Sequence, residues 1–191
     1  MSESDRHQVT RLLGKLQESP AALEQLAGIV YADIHRLAHH QRQGFRGGET
    51  LRTTVLAHEA FLKVFRQDDA IINDRAHLMR IMALAMRQII VDHARRQFAD
   101  KRGGEAPHVE LNEQAVADAS RDAELVLDID AAIDRLAEVD QELADLITAR
   151  FYVGLSSDEI AEMKGRSPRT IQRQLKRAST WLRYELLESA G

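Results

Sequence analysis

The stretch from Ser156 to Leu182 constrains this 191-residue chain more than any other. Ser156 stands three residues ahead of Glu159, the spacing of a capping box, and Ile160 and Met163 give the helix it opens an inward side. Gly165 ends that helix. Ser167 then caps a second helix whose first turn holds Pro168, where a missing N–H costs nothing. Ile171, Leu175, Ala178 and Leu182 follow at i, i+4, i+7 and i+11 and form one narrow apolar stripe. Arg169, Thr170, Arg173, Lys176, Arg177 and Thr180 occupy the other side. A short capped helix, a glycine turn and a long helix with one basic face read as a helix-turn-helix suited to a major groove, where arginines reach phosphates and guanine edges. The alternative is a helical hairpin with a solvated basic face.

Upstream, four amphipathic segments are predicted. The first covers residues 5–17 with Val9, Leu12, Leu13 and Leu16 inward. The second covers 21–42 with Leu23, Leu26, Ile29, Val30, Ile34 and Leu37 inward, and it ends at a glycine-rich turn or mobile loop over residues 44–48. The third covers 53–65 on Leu56, Ala60, Phe61 and Val64. The fourth covers 75–98 on Leu78, Ile81, Met82, Ala85 and Ile89. None can bury its stripe alone, so residues 1–100 are predicted to be one helical domain. The run from Asp100 to Pro107 should break the fourth helix, and residues 101–122 read as an acidic flexible linker. Residues 123–191 form the second domain, with Val126, Ile129, Ile133 and Leu136, then Leu143, Leu146, Ile147 and Phe151, turned inward ahead of the helix-turn-helix. The fold class is all-α.

Charge is distributed unevenly. Residues 1–100 carry 14 basic against 12 acidic side chains, residues 101–145 carry 4 against 13, and residues 146–191 carry 8 against 5. A chain with no uniformly basic surface is a poor non-specific DNA binder, so its DNA contact is expected to depend on a partner. There is no cysteine, which excludes disulfides and thiolate metal sites. No basic-then-apolar run follows Met1, and the most apolar segment, residues 78–91, is short and interrupted by Arg80 and Arg87. The expectation is a cytoplasmic protein without membrane contact.

Together these pieces resemble a sigma factor of bacterial RNA polymerase, of the sigma-70 superfamily and its extracytoplasmic-function (ECF) type. Arg150-Phe-Tyr-Val-Gly-Leu-Ser-Ser-Asp-Glu-Ile-Ala161 with Ser167-Pro-Arg-Thr-Ile171 resembles region 4. His58-Glu-Ala-Phe-Leu-Lys-Val-Phe65 resembles region 2.2. Asp74-Arg-Ala-His-Leu78, Ile89-Ile-Val-Asp-His-Ala-Arg-Arg96 and Lys101-Arg-Gly-Gly104 resemble regions 2.3 and 2.4. The resemblance implies an N-terminal helical bundle (region 2) linked to a small helix-turn-helix domain (region 4). It implies core RNA polymerase, through its β′ clamp helices and β flap, and promoter DNA as partners, with an anti-sigma factor as a further candidate. On this reading His58, Glu59 and Lys63 dock polymerase, and Arg80, Arg87, Arg95 and Arg96 face the minus-10 DNA. Ser167, Arg169, Thr170, Arg173, Lys176 and Arg177 read the minus-35 element. The acidic linker would either enter the polymerase channel near the template strand or serve as a plain solvated spacer. No cofactor or catalysis is implied.

The sequence departs from that family's pattern at several positions. Lys164 and Arg166 replace apolar residues of the turn, and their long side chains can snorkel. Gln172 and Gln174 replace basic residues of the reading helix and could read adenine. Ile72 stands where an aromatic often precedes Asp74, leaving Phe45 as a distant substitute for base stacking. Thr53-Thr54 stands where acidic residues are common. Either threonine could simply cap the helix, or a Ser/Thr kinase partner could phosphorylate Thr53 or Thr54 and restore the negative charge.

Two other function classes fit parts of the chain. His35, His39 and His40 are spaced for a metal, but no carboxylate falls close by on the same face, so a surface histidine cluster is favoured over an enzyme. His77 and His93 are expected to pack or hydrogen-bond along the fourth helix. An autonomous helix-turn-helix regulator, or a degenerate sigma-like protein that binds polymerase without opening DNA, would carry the same C-terminal stretch.

Overall fold

The computed structural model describes residues 3–16, 19–43, 51–66, 72–103 and 113–189, all helical or in short connections, with no strand among them. Among the described residues eight α-helices follow one another: α1 (Glu3–Leu13), α2 (Pro20–Gln43), α3 (Thr53–Phe65), α4 (Arg75–Gly103), α5 (Glu113–Val139), α6 (Gln141–Ile147), α7 (Ser157–Lys164) and α8 (Pro168–Ser189). The turn expected at 44–48, with Phe45, lies outside the described residues, as does the centre of the expected linker, 104–112.

The first four helices form as their stripes dictate. Leu26, Val30, Ile34 and Leu37 of α2, Leu56, Ala60 and Val64 of α3, and Leu78, Met82 and Met86 of α4 share one buried cluster with α1. Each of the larger side chains among these, fully buried, contributes about 1.5–3 kcal/mol of transfer free energy. Ile29, Phe61, Ile81 and Ala85, also expected inward, are half-buried at the margin of this cluster, and Leu23 is half-buried as well. Asp74 opens α4, because the His77 backbone N–H donates to its carboxylate at 2.8 Å and the Leu78 N–H to its carbonyl at 2.9 Å. Arg75 then reaches Asp33 at 2.6 Å and ties the start of α4 to α2.

A second buried cluster joins Ile133 and Leu136 of α5, Leu143, Leu146 and Ile147 of α6, Ile160 of α7, and Ile171, Leu175 and Ala178 of α8. Helix α5 serves both clusters, with Val126 packed on the first and Ile133 within the second.

Several expectations are corrected. Helix α4 runs on to Gly103, past its expected end at 98 and into the run expected to break it, because a glycine near a helix end costs little. Helix α5 begins at Glu113, so residues 113–122 of the acidic stretch are helical rather than irregular. Phe151 is 56% exposed instead of buried. Residues Thr148–Tyr152 form a π turn, in which the Val153 N–H donates to the Thr148 carbonyl five residues back at 3.1 Å. The extra residue re-phases the chain, so Tyr152, and not Phe151, turns inward. Met163 is also exposed, at 58%, because the short α7 buries Ile160 and Ala161 and has only those two positions against the cluster. Neither threonine caps α3. Its N-cap is Arg52, without a side-chain hydrogen bond, and Thr53 is already the first helical residue.

Candidate nucleic-acid interface

The helix-turn-helix is built by local hydrogen bonds of the kind its sequence encodes. The Glu159 N–H donates to Ser156 Oγ at 3.2 Å, and the Ser156 N–H donates back to the Glu159 carboxylate at 2.7 Å. These bonds stabilise the ionised carboxylate and hold Glu159 below the ordinary carboxylate pKa. Gly165 closes α7 in the left-handed region at φ 62°, which lets the Arg166 N–H reach the Ala161 carbonyl at 2.9 Å. Ser167 then accepts from the Thr170 N–H at 3.2 Å and opens α8. Ile171, Leu175 and Ala178 bury the inner side of α8, and Leu182 is half-buried beyond them.

The outer side of α8 is open. Arg169, Arg173, Lys176 and Arg177 are exposed, Ser167 stands at the start, and Thr170 beside it is half-buried. Arg177 lies 3.8 Å from Asp140 and is otherwise solvated. Trp181 and Tyr184 continue this face, bordering a shallow hollow with Arg173, Lys176, Arg177 and Thr180. Sequence reasoning missed the two aromatics as surface elements, although their 3-residue spacing was a usable signal. Of the two glutamines, Gln172 is exposed whereas Gln174 is half-buried, so only Gln172 lies on the open face. Lys164 and Arg166 are exposed at the turn, and Arg166 reaches Glu142 of α6 at 2.7 Å. An ion pair, partly exposed at both ends, thus stands where an apolar seam was expected to thin.

On the first cluster, His58, Glu59 and Lys63 are all exposed along α3, and Thr53 and Thr54 stand at its first turn, Thr54 the more open. Ile72 is half-buried against the first cluster, so it packs rather than offering a stacking surface.

The four arginines of α4 do not share one open face. Arg80 is exposed, as are Arg95, 3.6 Å from Asp92, and Arg96, whose Nε donates to the Asp92 carbonyl at 3.2 Å. Arg87 is different. Its Nε donates to Asp130 Oδ1 at 2.7 Å, and its second nitrogen reaches Asp134 at 3.0 Å. The guanidinium carbon stands 5.3 Å from the centre of the Tyr152 ring, within cation–π range. Burial alone would lower the pKa of this guanidinium, but Asp130 and its other neighbours more than offset that and leave it raised. Burial, reinforced by the two carboxylates against the opposing effect of Arg87, pushes the Tyr152 phenol up. Asp130 and Asp134, at i and i+4 on α5, were not singled out from the sequence; an acidic pair one turn apart was the available signal.

The histidines of α2 have separate neighbours. His35 packs against Tyr31, with ring centres 5.9 Å apart, His39 lies 3.0 Å from the Gln43 amide, and His40 lies over Gly154. His77 Nδ1 accepts from the Asn73 N–H at 3.3 Å. His93 has its pKa lowered by burial and by Arg96, with Glu59 opposing.

A helical body ending in a capped helix-turn-helix with an open basic face has the architecture that suits a DNA major groove. The ECF sigma factor family matches residues 6–188, nearly the whole chain, and the protein belongs to that family. Its members act in promoter-directed transcription and generally bind core RNA polymerase, promoter DNA and anti-sigma factors. No curated protein and no solved structure matches the chain. Among the described residues no helix is long and apolar enough to cross a membrane.

Proposed function

We propose that this ECF sigma factor divides its work as its family resemblance implies. Residues 1–100 act as region 2, residues 123–191 as region 4, and residues 101–122 connect them. His58, Glu59 and Lys63 dock the β′ clamp helices, while Arg80, Arg87, Arg95 and Arg96 serve the minus-10 element. Ser167, Arg169, Thr170, Arg173, Lys176 and Arg177 read the minus-35 element. The observation that carries this reading is the outer face of α8, where exposed arginines rise from a helix whose first turn is fixed by Ser167 and whose inner side is anchored by Ile171 and Leu175. That is the arrangement a major-groove reader needs, with side chains free and backbone held.

Transcription with core polymerase on a genomic promoter library tests the reading. Promoter-directed RNA that requires this protein supports it, whereas specific duplex binding without any polymerase-dependent transcript favours an autonomous regulator. In the same assay, Arg173→Ala is expected to cost about 1–3 kcal/mol and to relax preference at one base pair. A uniform loss on all sequences would make it a phosphate contact.

Thr53 and Thr54 extend the proposal to regulation of docking. A phosphate on either would add roughly −1.5 to −2 charges at the N-terminal turn of α3, where the helix dipole favours anions, one to two turns ahead of His58 and Glu59. Polymerase pull-down with Thr54→Glu and Thr54→Ala, and the Thr53 counterparts, separates the cases. Equal binding of the Ala and Glu forms removes the switch.

A further inference from the structure

Between the two hydrophobic clusters the packing leaves room. Val126 of α5 and Val153 make apolar contact with the first cluster, yet a cavity of about 690 Å³ remains beside Val126, walled by Ile90 of α4, Ile129 and Ile133 of α5, and Leu182 and Leu186 of α8. Ile129 and Ile133 stand one turn apart on α5, as do Leu182 and Leu186 on α8, so two aliphatic ridges border the same space. Close packing leaves few voids of this size, and the volume falls within the range of small-molecule sites, roughly 300–1,000 Å³. Phe151 is 56% exposed and Leu187 67%, and both line the cavity. An apolar cavity that continues into open apolar surface can be entered from water by a hydrocarbon chain.

The charged lining has one sign. Arg183 of α8 lines the cavity from an exposed position, with Ser179 one turn before it and His40 of α2 also exposed. No Asp or Glu stands among the lining residues, although the chain carries 30 acidic side chains against 26 Lys and Arg. Arg87, also in the wall, is already engaged by Asp130 and Asp134. The Arg183 guanidinium has no ion-pair or hydrogen-bond partner among the described residues and is free to take an anion. We propose that this cavity binds a single-chain carboxylate amphiphile, a fatty acid in chemical class: the hydrocarbon tail lies along Ile129, Ile133, Leu182 and Leu186, and the carboxylate meets Arg183. The tail gains by leaving water, while the head group keeps both solvent and a cation, so no charge is buried unpaired. The site stands on these walls and does not rest on the division of promoter contacts proposed above.

Isothermal titration calorimetry of the full-length protein with dodecanoate, dodecanol and acetate, all below any micelle-forming concentration, tests tail and head separately. Dodecanoate should bind saturably, one to one, with a negative heat-capacity change. Acetate should give no measurable heat, and dodecanol should bind about 5-fold more weakly than dodecanoate, the upper worth of an exposed ion pair. Arg183→Glu should bring dodecanoate down to the affinity of the alcohol or below it and leave dodecanol where it was. Ile129→Trp fills the cavity and should abolish binding of both. Ser179→Trp should do the same from an exposed position, without displacing a packed residue. Circular dichroism that keeps its helical signal excludes unfolding as the cause, and the melting temperature should rise with dodecanoate in the wild type alone of these three.

Absence of saturable heat with dodecanoate overturns the site, as does binding that survives both tryptophan variants. An unchanged dodecanoate affinity in Arg183→Glu overturns the carboxylate as the head group. A wild-type dimer in sedimentation that both tryptophan variants dissociate would give the cavity to a second copy of the chain and overturn the ligand.

Discussion

Gln41 and Tyr152 stand 111 residues apart in the chain, yet the Gln41 amide donates to the Tyr152 carbonyl oxygen at 3.0 Å. Because the same nitrogen also donates to Ala83, one buried side chain joins three helical segments. Gln41→Leu removes both bonds at little change in volume. The expected cost is about 1–3 kcal/mol, with the unfolding transition in urea becoming broader or biphasic as the two clusters uncouple. A sharp, unshifted transition would show that the junction carries no stability.

Two glycines with similar backbone angles give an internal comparison. Gly154 and Gly165 have φ of 79° and 62°, so alanine is strained at both. A Cβ at Gly165 meets nothing within 4 Å, whereas at Gly154 it would lie 3.2 Å from the His40 ring. Gly165→Ala should cost roughly 1–2 kcal/mol from backbone conformation alone. Gly154→Ala should cost more, and His40→Ala should erase the excess. A double-mutant cycle by chemical denaturation measures it, and additivity of the two changes would remove His40 as the cause.

Removal of the Ser156 hydroxyl takes away one half of the reciprocal cap. Ser156→Ala is expected to destabilise the second cluster by about 1 kcal/mol. Glu159, whose folded pKa is depressed, contributes stability that is present above the unfolded carboxylate value of 4.5 and is lost as pH falls through the lower folded value. Melting curves between pH 6 and pH 3 should therefore show a smaller acid loss for Glu159→Gln than for the wild type. An equal loss would place the acid sensitivity elsewhere.

His93 is expected to act in a higher pH window. Its folded pKa lies below the ordinary imidazole value of 6.5, so the unfolded chain takes up the proton first. Its contribution is intact above about pH 6.5 and declines as pH falls from there toward the folded value. His93→Gln should flatten the stability profile in that interval. NMR titration of the imidazole should place its midpoint below that of a histidine in a short peptide, and a midpoint at or above the peptide value would refute the expectation.

Ile160 and Ile171 are fully buried where α7 meets α8. Alanine at either is expected to cost about 2–5 kcal/mol, depending on how far the small C-terminal cluster collapses around the cavity. Calorimetry checks this. The loss should fall on the transition assigned to residues 123–191 if the two clusters melt separately.

What the sequence disclosed follows from the range of the forces involved. The Ser156–Glu159 box, the Gly165 stop, the Ser167 cap and the stripe from Ile171 to Ala178 are fixed by neighbours within a few residues, and they stand where their spacing puts them. Helix α3 matches its expected bounds, 53–65, for the same reason. Arg87 and Asp130 are 43 residues apart, and a polar pair at that separation leaves no periodic trace. Phe151 failed because helical period cannot register one added residue. The roles given to His58, Glu59 and Lys63 came from resemblance, since exposed polar side chains on a helix carry no local signature of what they meet.

The π turn at Thr148–Tyr152 sets an angle as well as a side chain. One residue more or less in a helix rotates everything beyond it by about 100° about the axis. Deleting a single residue there would leave the caps, stripe and basic face of α7 and α8 intact in sequence yet swing them to a different azimuth around the rest of the molecule. Comparisons among relatives should therefore count residues between Asp140 and Ser156 before matching arginines. Two chains with the same recognition helix and different counts would aim it in different directions.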